Sequence, residues 1–154
     1  MTTLAPTITL SLSGDTTFPH LLLEHASARP DATAMREKDL GIWLSISWRQ
    51  LRDEVEAIAA GLASDGFARG QHFALVGENR PRLYAAMIAV QALGGIPVPL
   101  YQDAVADELA YVFENAEIAF ALAEDQEQTD KLLEVRRGQP RLRRILYDDP
   151  RGLR

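Results

Sequence analysis

The chain has 154 residues, of which 47% are hydrophobic and 25% are charged, the profile of one ordinary folded domain with enough apolar residues for a core. It contains no cysteine, which excludes disulfides and thiolate metal sites. The net charge of −6 is uneven: residues 131–154 carry eight bases and three acids, or +5, which leaves −11 on residues 1–130 and argues against nucleic-acid binding by the main body.

The first 46 residues predict a tail, a helix and a hairpin. Residues 1–15 are expected to form a flexible N-terminal tail, because threonine interrupts the apolar run and no basic flank of a signal peptide is present. A helix is predicted over Phe18–Ala28, before an Arg-Pro-Asp stop. Two short strands, Ala32–Arg36 and Ile42–Ile46, follow around a glycine-containing turn and indicate a hairpin.

A second helix has the clearest start signal in the chain. Ser47 and Gln50 have the spacing of a capping box, in which the serine side chain and the glutamine side chain each satisfy a free backbone N–H. Asp65-Gly66 supplies the stop signal. One apolar face is predicted, formed by Leu51, Val55, Ile58, Ala59 and Leu62.

The middle of the chain alternates strand and helix. The run His72–Val76 is short, apolar and bounded by glycines, which favours a strand. Pro81 suits the first turn of the next helix, whose apolar residues from Leu83 to Leu93 face nearly every direction, so we expect burial on more than one side. Gly94-Gly95 ends it. The stretch Ile96–Leu100 contains two prolines and predicts a strand at a sheet edge or a partly unpaired one.

Four further elements complete the chain. They are a helix over Asp103–Glu114, a strand over Ile118–Leu122, a helix over Asp125–Arg137 and a strand over Arg144–Tyr147. The residues predicted to face inward on the first of these helices are Val105, Leu109, Val112 and Phe113. The alternation predicts an α/β fold with a mainly parallel sheet and helices on both faces.

One loop invites a comparison with phosphate-binding sites. Gly77-Glu78-Asn79-Arg80-Pro81 joins a strand to a helix N-terminus, where free N–H groups and the helix dipole can hold an anion. However, the loop has one glycine, Glu78 repels anions, and Pro81 lacks an N–H group. We interpret it as a plain strand-to-helix turn, with phosphate binding as the alternative.

Other polar residues also favour structural roles. The glycines Gly61, Gly66 and Gly70 are spaced too widely for a dinucleotide fingerprint and are interpreted as caps and turns. Packing explains the histidines, and solvated helix faces explain the acid pairs. The arginines of residues 136–144 suit a helix C-terminus better than a nucleic-acid surface. The residues in question are His20, His25, His72, Asp107, Glu108, Glu114, Glu117, Arg136, Arg137, Arg141, Arg143 and Arg144.

Several stretches in order resemble the acyl-adenylate-forming (AMP-binding) enzymes, and within them the bacterial long-chain fatty-acid–CoA ligases. The resemblance spans about residues 18–154 and is carried by four stretches. They are GIWLSISWRQL at 41–51, AGLASDGFARGQHFALV at 60–76, ENRPRLY at 78–84 with ALGGIPVPLY at 92–101, and ELAYVFENAE at 108–117 with AEDQEQ at 123–128. The sequence of Tyr101–Glu108 is similar to that of the long-chain branch of the family.

The resemblance implies a two-step reaction for an intact enzyme. Magnesium-ATP and a carboxylic acid give an acyl-adenylate and pyrophosphate, and coenzyme A then displaces AMP to form the thioester. The family's phosphate loop, its Tyr-Gly-x-Thr-Glu motif, its ribose-binding aspartate and its C-terminal lysine have no counterpart here. We therefore assign no catalytic, cofactor-binding or metal residue, and we expect residues 16–154 to be an incomplete N-terminal part of the large domain that is inactive alone and binds no ATP, magnesium or coenzyme A.

The resemblance also implies partners, a location and limited stability. The partners implied are a fatty acid or other carboxylic acid and a missing C-terminal remainder of the enzyme, with no nucleic acid and no transmembrane segment. A cytoplasmic location is expected, and peripheral contact with a membrane would suit a fatty-acid substrate. Sheet surface left open by the missing segments is expected to make the chain marginally stable or prone to aggregate. The alternative function is a non-catalytic α/β binding or interaction module.

Overall fold

The computed structural model describes residues 16–153, so the predicted tail at 1–15 lies outside the described residues. Within that range, no helix combines the length and the apolar character that a membrane span requires. The elements in chain order are α1 (Phe18–Ala28), β1 (Thr33–Asp39), β2 (Ile42–Ser47), α2 (Trp48–Ser64), β3 (His72–Val76), α3 (Pro81–Ala92), β4 (Ile96–Leu100), α4 (Ala106–Asn115), β5 (Phe120–Ala123), α5 (Gln126–Gly138) and β6 (Arg144–Tyr147).

A four-stranded parallel sheet forms the centre of the fold, in the strand order β4-β3-β5-β6. The α2 and α3 helices cover one face, and the α4 and α5 helices cover the other. The predicted fold class, an α/β domain with a parallel sheet between helices, is confirmed.

Residue size differs between the two faces of the sheet. In the central pair, Phe73 lies beside Phe120 and Leu75 beside Leu122, and these side chains pack against α2 and α3. The intervening positions hold alanine or valine and pack against α4 and α5; they are Ala74, Val76, Ala121 and Ala123. All eight side chains are buried, so β3 and β5 are enclosed on both faces, as is usual for a parallel sheet.

The predicted hairpin is confirmed as a separate antiparallel pair, β1 with β2. The β1 strand runs on to Asp39, three residues beyond the prediction, because the turn is formed by Leu40 and Gly41 alone, with φ of 45° and 84°. Two positive φ values match the twist of a two-residue hairpin turn. The base of the hairpin packs against α1, α2 and α3, whereas Ile42 and Trp43 near its tip are exposed.

The capping box at the start of α2 is confirmed. The Gln50 N–H donates to Ser47 Oγ at 3.2 Å, and the Ser47 N–H donates to Gln50 Oε1 at 2.9 Å. The next residue, Trp48, packs its ring against His25 of α1, with ring centroids 4.4 Å apart. The packing role predicted for His25 is therefore confirmed, whereas the same prediction is wrong for His20, which is exposed.

Three helices end in the same hydrogen-bonded motif. After α2, α3 and α4, the second residue past the cap donates its N–H to a carbonyl five residues earlier, which satisfies carbonyls that the helix itself leaves unpaired. The residue just past each cap has a positive φ, and these residues are Gly66, Gly94 and Glu117. The predicted glycine stops are confirmed at the first two ends, and the third uses a residue for which this φ is unfavourable.

The end of α4 also explains why β5 begins later than predicted. Ile118 was expected to open the strand, but its N–H donates to Phe113 O and its side chain folds back into the cluster beside α4. The strand therefore runs over Phe120–Ala123.

Two other expectations were wrong. The α4 helix begins at Ala106 rather than Asp103, because Glu108 accepts the N–H of Val105 and holds that residue extended as the cap. Val105 consequently points to solvent instead of inward. Gly61 is neither a cap nor a turn, since it lies inside α2.

The β4 strand is an edge of this sheet, as its prolines predicted. Ile96 donates its N–H to Gln71 O on the β3 side at 2.9 Å. Because successive residues of a strand direct their N–H groups to opposite sides, Pro97 and Pro99 occupy the positions that would donate outward. The outer side of β4 therefore lacks two donors that a further strand would need.

Two glycine substitutions at the end of α4 are expected to change the free energy of unfolding in opposite directions. Glu117→Gly is expected to raise the midpoint of urea unfolding, because glycine adopts a positive φ without steric cost. The matched change Glu114→Gly, inside the last turn of the same helix, is expected to lower the free energy of unfolding by about 1 kcal/mol. Two changes of the same sign would contradict this account of the helix end.

The capping box gives a second test. Ser47→Ala is expected to lower the free energy of unfolding by about 1 kcal/mol, because the Gln50 N–H loses its acceptor. Ser45→Ala, on the exposed part of the same strand, serves as the control and should change it by less than about 0.5 kcal/mol. Equal losses in both variants in urea titrations would show that the cap contributes nothing specific.

Candidate functional site

The carboxyl ends of the parallel strands bring several charged residues together. Ligands of open α/β sheets bind at this end of the strands, so a functional site is expected there. The loop after β3, residues 77–80, lies beside Glu124, which follows β5, and near Asp148 and Asp149, which follow β6. These residues form the strand-end cluster.

Glu124 is the centre of the strand-end cluster. Its side chain is 11% exposed, and it accepts hydrogen bonds from the Glu78 backbone N–H and from Arg80 Nε. Arg80 also pairs with the Glu78 carboxylate at 3.1 Å. The hydrogen bond to Glu124, opposed by partial burial, raises the pKa of Arg80 above its ordinary value. The Glu124 carboxylate thus holds the loop after β3 from the end of the neighbouring strand β5, although Glu78 and Glu124 are 46 positions apart in the sequence.

Gly77 is required by the position of Glu124. A Cβ atom at residue 77 would lie 2.5 Å from Glu124 Cβ and 2.6 Å from Glu124 Oε2. The φ of Gly77 is not in the left-handed region, so close approach rather than backbone conformation selects glycine here.

A second arginine connects the helical layer to the strand-end cluster. Arg82 of α3 pairs with Glu54 of α2 at 2.9 Å and with Asp148 at 3.0 Å. Burial raises the pKa of Asp148, and the nearby Arg82 charge partly opposes that shift. The pKa of the next residue, Asp149, is shifted in the opposite direction, because a hydrogen bond from Arg151 lowers it.

An open groove lies beside the strand-end cluster, between the carboxyl ends of β3 and β4. It has a volume of about 700 Å³. Apolar side chains of β3, α3 and β4 form its floor and wall, Tyr84 and Tyr101 flank it, and Glu78 and Asp103 are the charged residues that line it. The lining therefore presents negative charge to an incoming ligand.

The strand-end cluster does not suit a nucleotide phosphate or a magnesium ion. The Glu78 N–H, which a phosphate would need, already donates to Glu124, and Arg80 and Arg82 are each paired with carboxylates. Among residues 16–153, no group of three or more histidine, aspartate or glutamate side chains is arranged to hold a metal ion. The loop at 77–81 is thus held by an acidic side chain rather than prepared for an anion.

The remaining candidates from the sequence lie apart from the strand-end cluster. Both acid pairs, Asp107 with Glu108 and Glu114 with Glu117, are exposed, as predicted. The arginines are dispersed: Arg141 pairs with Glu117, Arg144 with Asp65, and Arg143 lies over the Phe120 ring at 5.1 Å.

Sequence reasoning missed the two ion pairs that organise the strand-end cluster. Glu124 and Arg80 are 44 positions apart, and Arg82 and Asp148 are 66 positions apart, so no local spacing connects them. The available signal was weak: a single acid directly after an apolar strand, opposite a glycine that ends the neighbouring strand.

Comparison with known proteins gives a consistent family. The family model described as AMP-binding enzyme matches residues 22–153. The long-chain-fatty-acid–CoA ligase FadD15 of Mycobacterium tuberculosis is 24% identical over 126 residues, which are 82% of this chain and 21% of FadD15. The protein Rv1549 of the same organism is 34% identical over 97 residues, which are 63% of this chain and 54% of Rv1549.

A solved structure supports the fold. The acetoacetyl-CoA synthetase from Streptomyces lividans superimposes with a TM-score of 0.78 at 24% identity, covering 87% of this chain and 23% of that protein. The chain thus spans about half of one curated relative and about a fifth of the other.

The strand-end cluster predicts a stability effect. Arg80→Ala should lower the free energy of unfolding by about 1–3 kcal/mol, because the nearly buried Glu124 carboxylate loses a charged donor. The control, Arg49→Ala, removes an exposed pair with Asp31 and should cost about 0.5 kcal/mol or less. Equal losses in denaturant titrations of the two variants would contradict the role given to Glu124.

The two adjacent aspartates predict an order of titration. As pH falls, Asp148 should protonate before Asp149 in a carboxyl carbon NMR titration, and Arg82→Ala should raise the pKa of Asp148 further. A raised folded pKa means that the Asp148 contribution to stability falls as pH rises from the unfolded pKa to the folded one. The lowered pKa of Asp149 gives a contribution present above its unfolded pKa and lost as pH falls through the folded pKa. The reverse order of protonation would contradict the assignment.

Proposed function

Because the chain belongs to the AMP-binding enzyme family, we propose that it is the N-terminal portion of an ATP-dependent long-chain fatty-acid–CoA ligase. The complete enzyme would join a fatty acid to ATP as an acyl-adenylate with release of pyrophosphate. Coenzyme A would then displace AMP to give the acyl-CoA thioester.

The single observation that carries this proposal is the match to FadD15. It extends over 82% of this chain, and FadD15 is a long-chain-fatty-acid–CoA ligase by name. The same 126 residues are only 21% of FadD15, so four fifths of that ligase lie outside the matched part. The long-chain assignment rests on this relative and on the resemblance of residues 101–108.

In this proposal, residues 16–154 are an incomplete part of the large domain and serve as scaffold rather than as catalytic centre. Catalysis of adenylate formation needs donors aimed at the charge that develops on the transferred group. The arginines of the strand-end cluster are engaged with carboxylates, which supports assigning them to structure. Groups that bind ATP, magnesium and coenzyme A would come from the remainder of the enzyme, and none of the three would bind this chain alone.

The carboxylic acid substrate and the enzyme remainder are the partners that follow from the proposal. A fatty-acid substrate also favours a cytoplasmic enzyme that touches membranes at their periphery. These points rest on the kind of reaction, and no surface of residues 16–153 is assigned to a membrane.

A second candidate is a non-catalytic interaction module. Rv1549 favours it, because 97 aligned residues are 54% of that protein, which is therefore far shorter than FadD15. A short family member could pair with a separately encoded remainder. Restored ligase activity on mixing two polypeptides would support this candidate, and failure of the two to bind would exclude it.

The proposal predicts an inactive chain and a longer native product. Purified residues 1–154 should show no palmitate-dependent exchange of pyrophosphate into ATP above background, with a full-length long-chain ligase as the positive control. Intact-mass measurement on the native protein, with peptide mapping beyond Arg154, should find a product several times heavier. A native product of 154 residues without a ligase partner would overturn the proposal and leave the interaction module.

A further inference from the structure

The loop after β4 forms one rim of the groove beside the strand-end cluster. Tyr101, Gln102 and Asp103 line the groove on this side, and the loop after β3 lines it on the other together with α3. Tyr101 is 87% exposed, so little of its side chain is packed against the domain. The shape of the groove therefore depends on what holds residues 101–103 in place.

Two hydrogen bonds within the segment itself restrain this rim. The Ala104 N–H donates to Tyr101 O at 3.3 Å and closes one turn. The Val105 N–H donates to the Glu108 side chain, also at 3.3 Å. Both bonds are longer than an ordinary N–H to oxygen hydrogen bond, so they restrain the loop only weakly. Ala104 also packs against the cluster beside α4, which anchors the end of the loop that leads into the helix.

The shortest hydrogen bond to the loop comes from α5. Lys131 Nζ donates to the Gln102 backbone carbonyl at 2.6 Å, across 29 positions of sequence. The same ammonium pairs with Glu127, one turn earlier on α5, at 2.9 Å, and the Lys131 side chain is only 21% exposed. A charged donor makes a stronger hydrogen bond than a neutral one. Within residues 16–153, Lys131 is the one side chain outside residues 101–108 that donates to residues 101–105.

A lysine suits this contact better than an arginine does. The chain has 16 basic residues, and only Lys38 and Lys131 are lysines. An ammonium on a flexible stem donates in three directions, whereas the donors of a guanidinium are fixed in one plane. At residue 131 one acceptor lies on the loop and the other on the same helix, so donors that point in different directions are used.

We propose that Lys131 is a latch for the rim of the groove: its ammonium holds the Gln102 carbonyl, and release of that bond frees residues 101–103 to move relative to α3. The latch acts from α5 and does not line the groove itself. The groove can therefore widen without a change in any residue that a ligand would touch. This is a local opening while the core stays folded. The inference goes beyond the ligase proposal and needs no catalytic activity.

Amide hydrogen exchange tests the latch in the full chain. Lys131→Met keeps the length of the stem and removes the ammonium. Exchange at Ala104 should become about fivefold faster or more, because the loop loses its bond to a charged donor. Exchange at Ala116, at the end of α4, should stay within about twofold. The matched control is Glu127→Gln, which removes the other partner of Lys131 and should leave Ala104 within about twofold.

Chemical acetylation tests the latch without any substitution. Only Lys38, which is exposed, and Lys131 offer side-chain amines to N-hydroxysuccinimide acetate. Peptide mass spectrometry should find Lys131 acetylated about tenfold more slowly or less, because its ammonium must leave Gln102 and Glu127 before it can react. Acetylation removes the charge, so the modified chain should exchange at Ala104 as fast as Lys131→Met does.

A pair of spin labels measures the width of the groove. The chain has no cysteine, so Tyr84→Cys on α3 and Asp103→Cys on the rim give two unique attachment points across the groove. Electron spin resonance should show a narrow distribution of label distances with Lys131 present and a broader one in the Lys131→Met background. Labels at Tyr84→Cys and Ala92→Cys, both on α3, are the control and should give the same distribution in both backgrounds.

Faster exchange confined to residues 101–105, slow acetylation of Lys131 and a broader distance distribution across the groove support the latch. Unchanged exchange at Ala104, an equal rise at Ala116, or equal acetylation of the two lysines overturns it. An equal rise at Ala116 would show that Lys131 stabilises the whole domain rather than the rim. If Lys131→Met fails to unfold cooperatively, the acetylation rates of the unaltered chain decide alone.

Discussion

The register between β3 and β5 is the constraint on which the other contacts depend. It places Phe73 beside Phe120 on one face and Ala74 beside Ala121 on the other. Phe67 closes the aromatic side, with its ring edge-on to both phenylalanines at centroid distances of 5.9 and 5.2 Å. A slip of one residue would exchange the faces and drive phenylalanine rings into the layer of α4 and α5, which packs on alanine. The size of these few side chains thus fixes which helices lie on which side.

The same register determines the chemistry of the strand ends. Because the carboxyl ends of β3 and β5 stop level with each other, Gly77 comes directly beside Glu124, and the carboxylate can reach the backbone of the next loop. A nearly buried carboxylate requires a charged donor, and Arg80 supplies it. The result is a cluster whose positive charges are neutralised within the domain. Such a region keeps little free positive charge that could stabilise charge on a substrate.

Local signals were enough to predict most elements, but they could not predict contacts between residues that are distant in the sequence. The capping box at Ser47, the glycine stops at Gly66 and Gly94, and the prolines of β4 each act within a few residues, so the sequence reveals them. Glu117 occupies the equivalent position at the end of α4, although glutamate rarely adopts a positive φ. The sequence therefore contains no stop signal there, and β5 was predicted to begin too early. The candidate site escaped prediction because its ion pairs join residues that only the parallel sheet brings together.

The prolines of β4 have a consequence for how far the sheets of separate molecules can assemble. Fibrils grow because each added strand presents a fresh edge for the next one. Here the outer side of β4 lacks the donors of Pro97 and Pro99. A strand of another molecule would therefore meet two missing N–H groups along β4, which disfavours edge-to-edge polymerisation at this side of the sheet. The two prolines that predict an edge strand thus also limit open-ended growth from that edge.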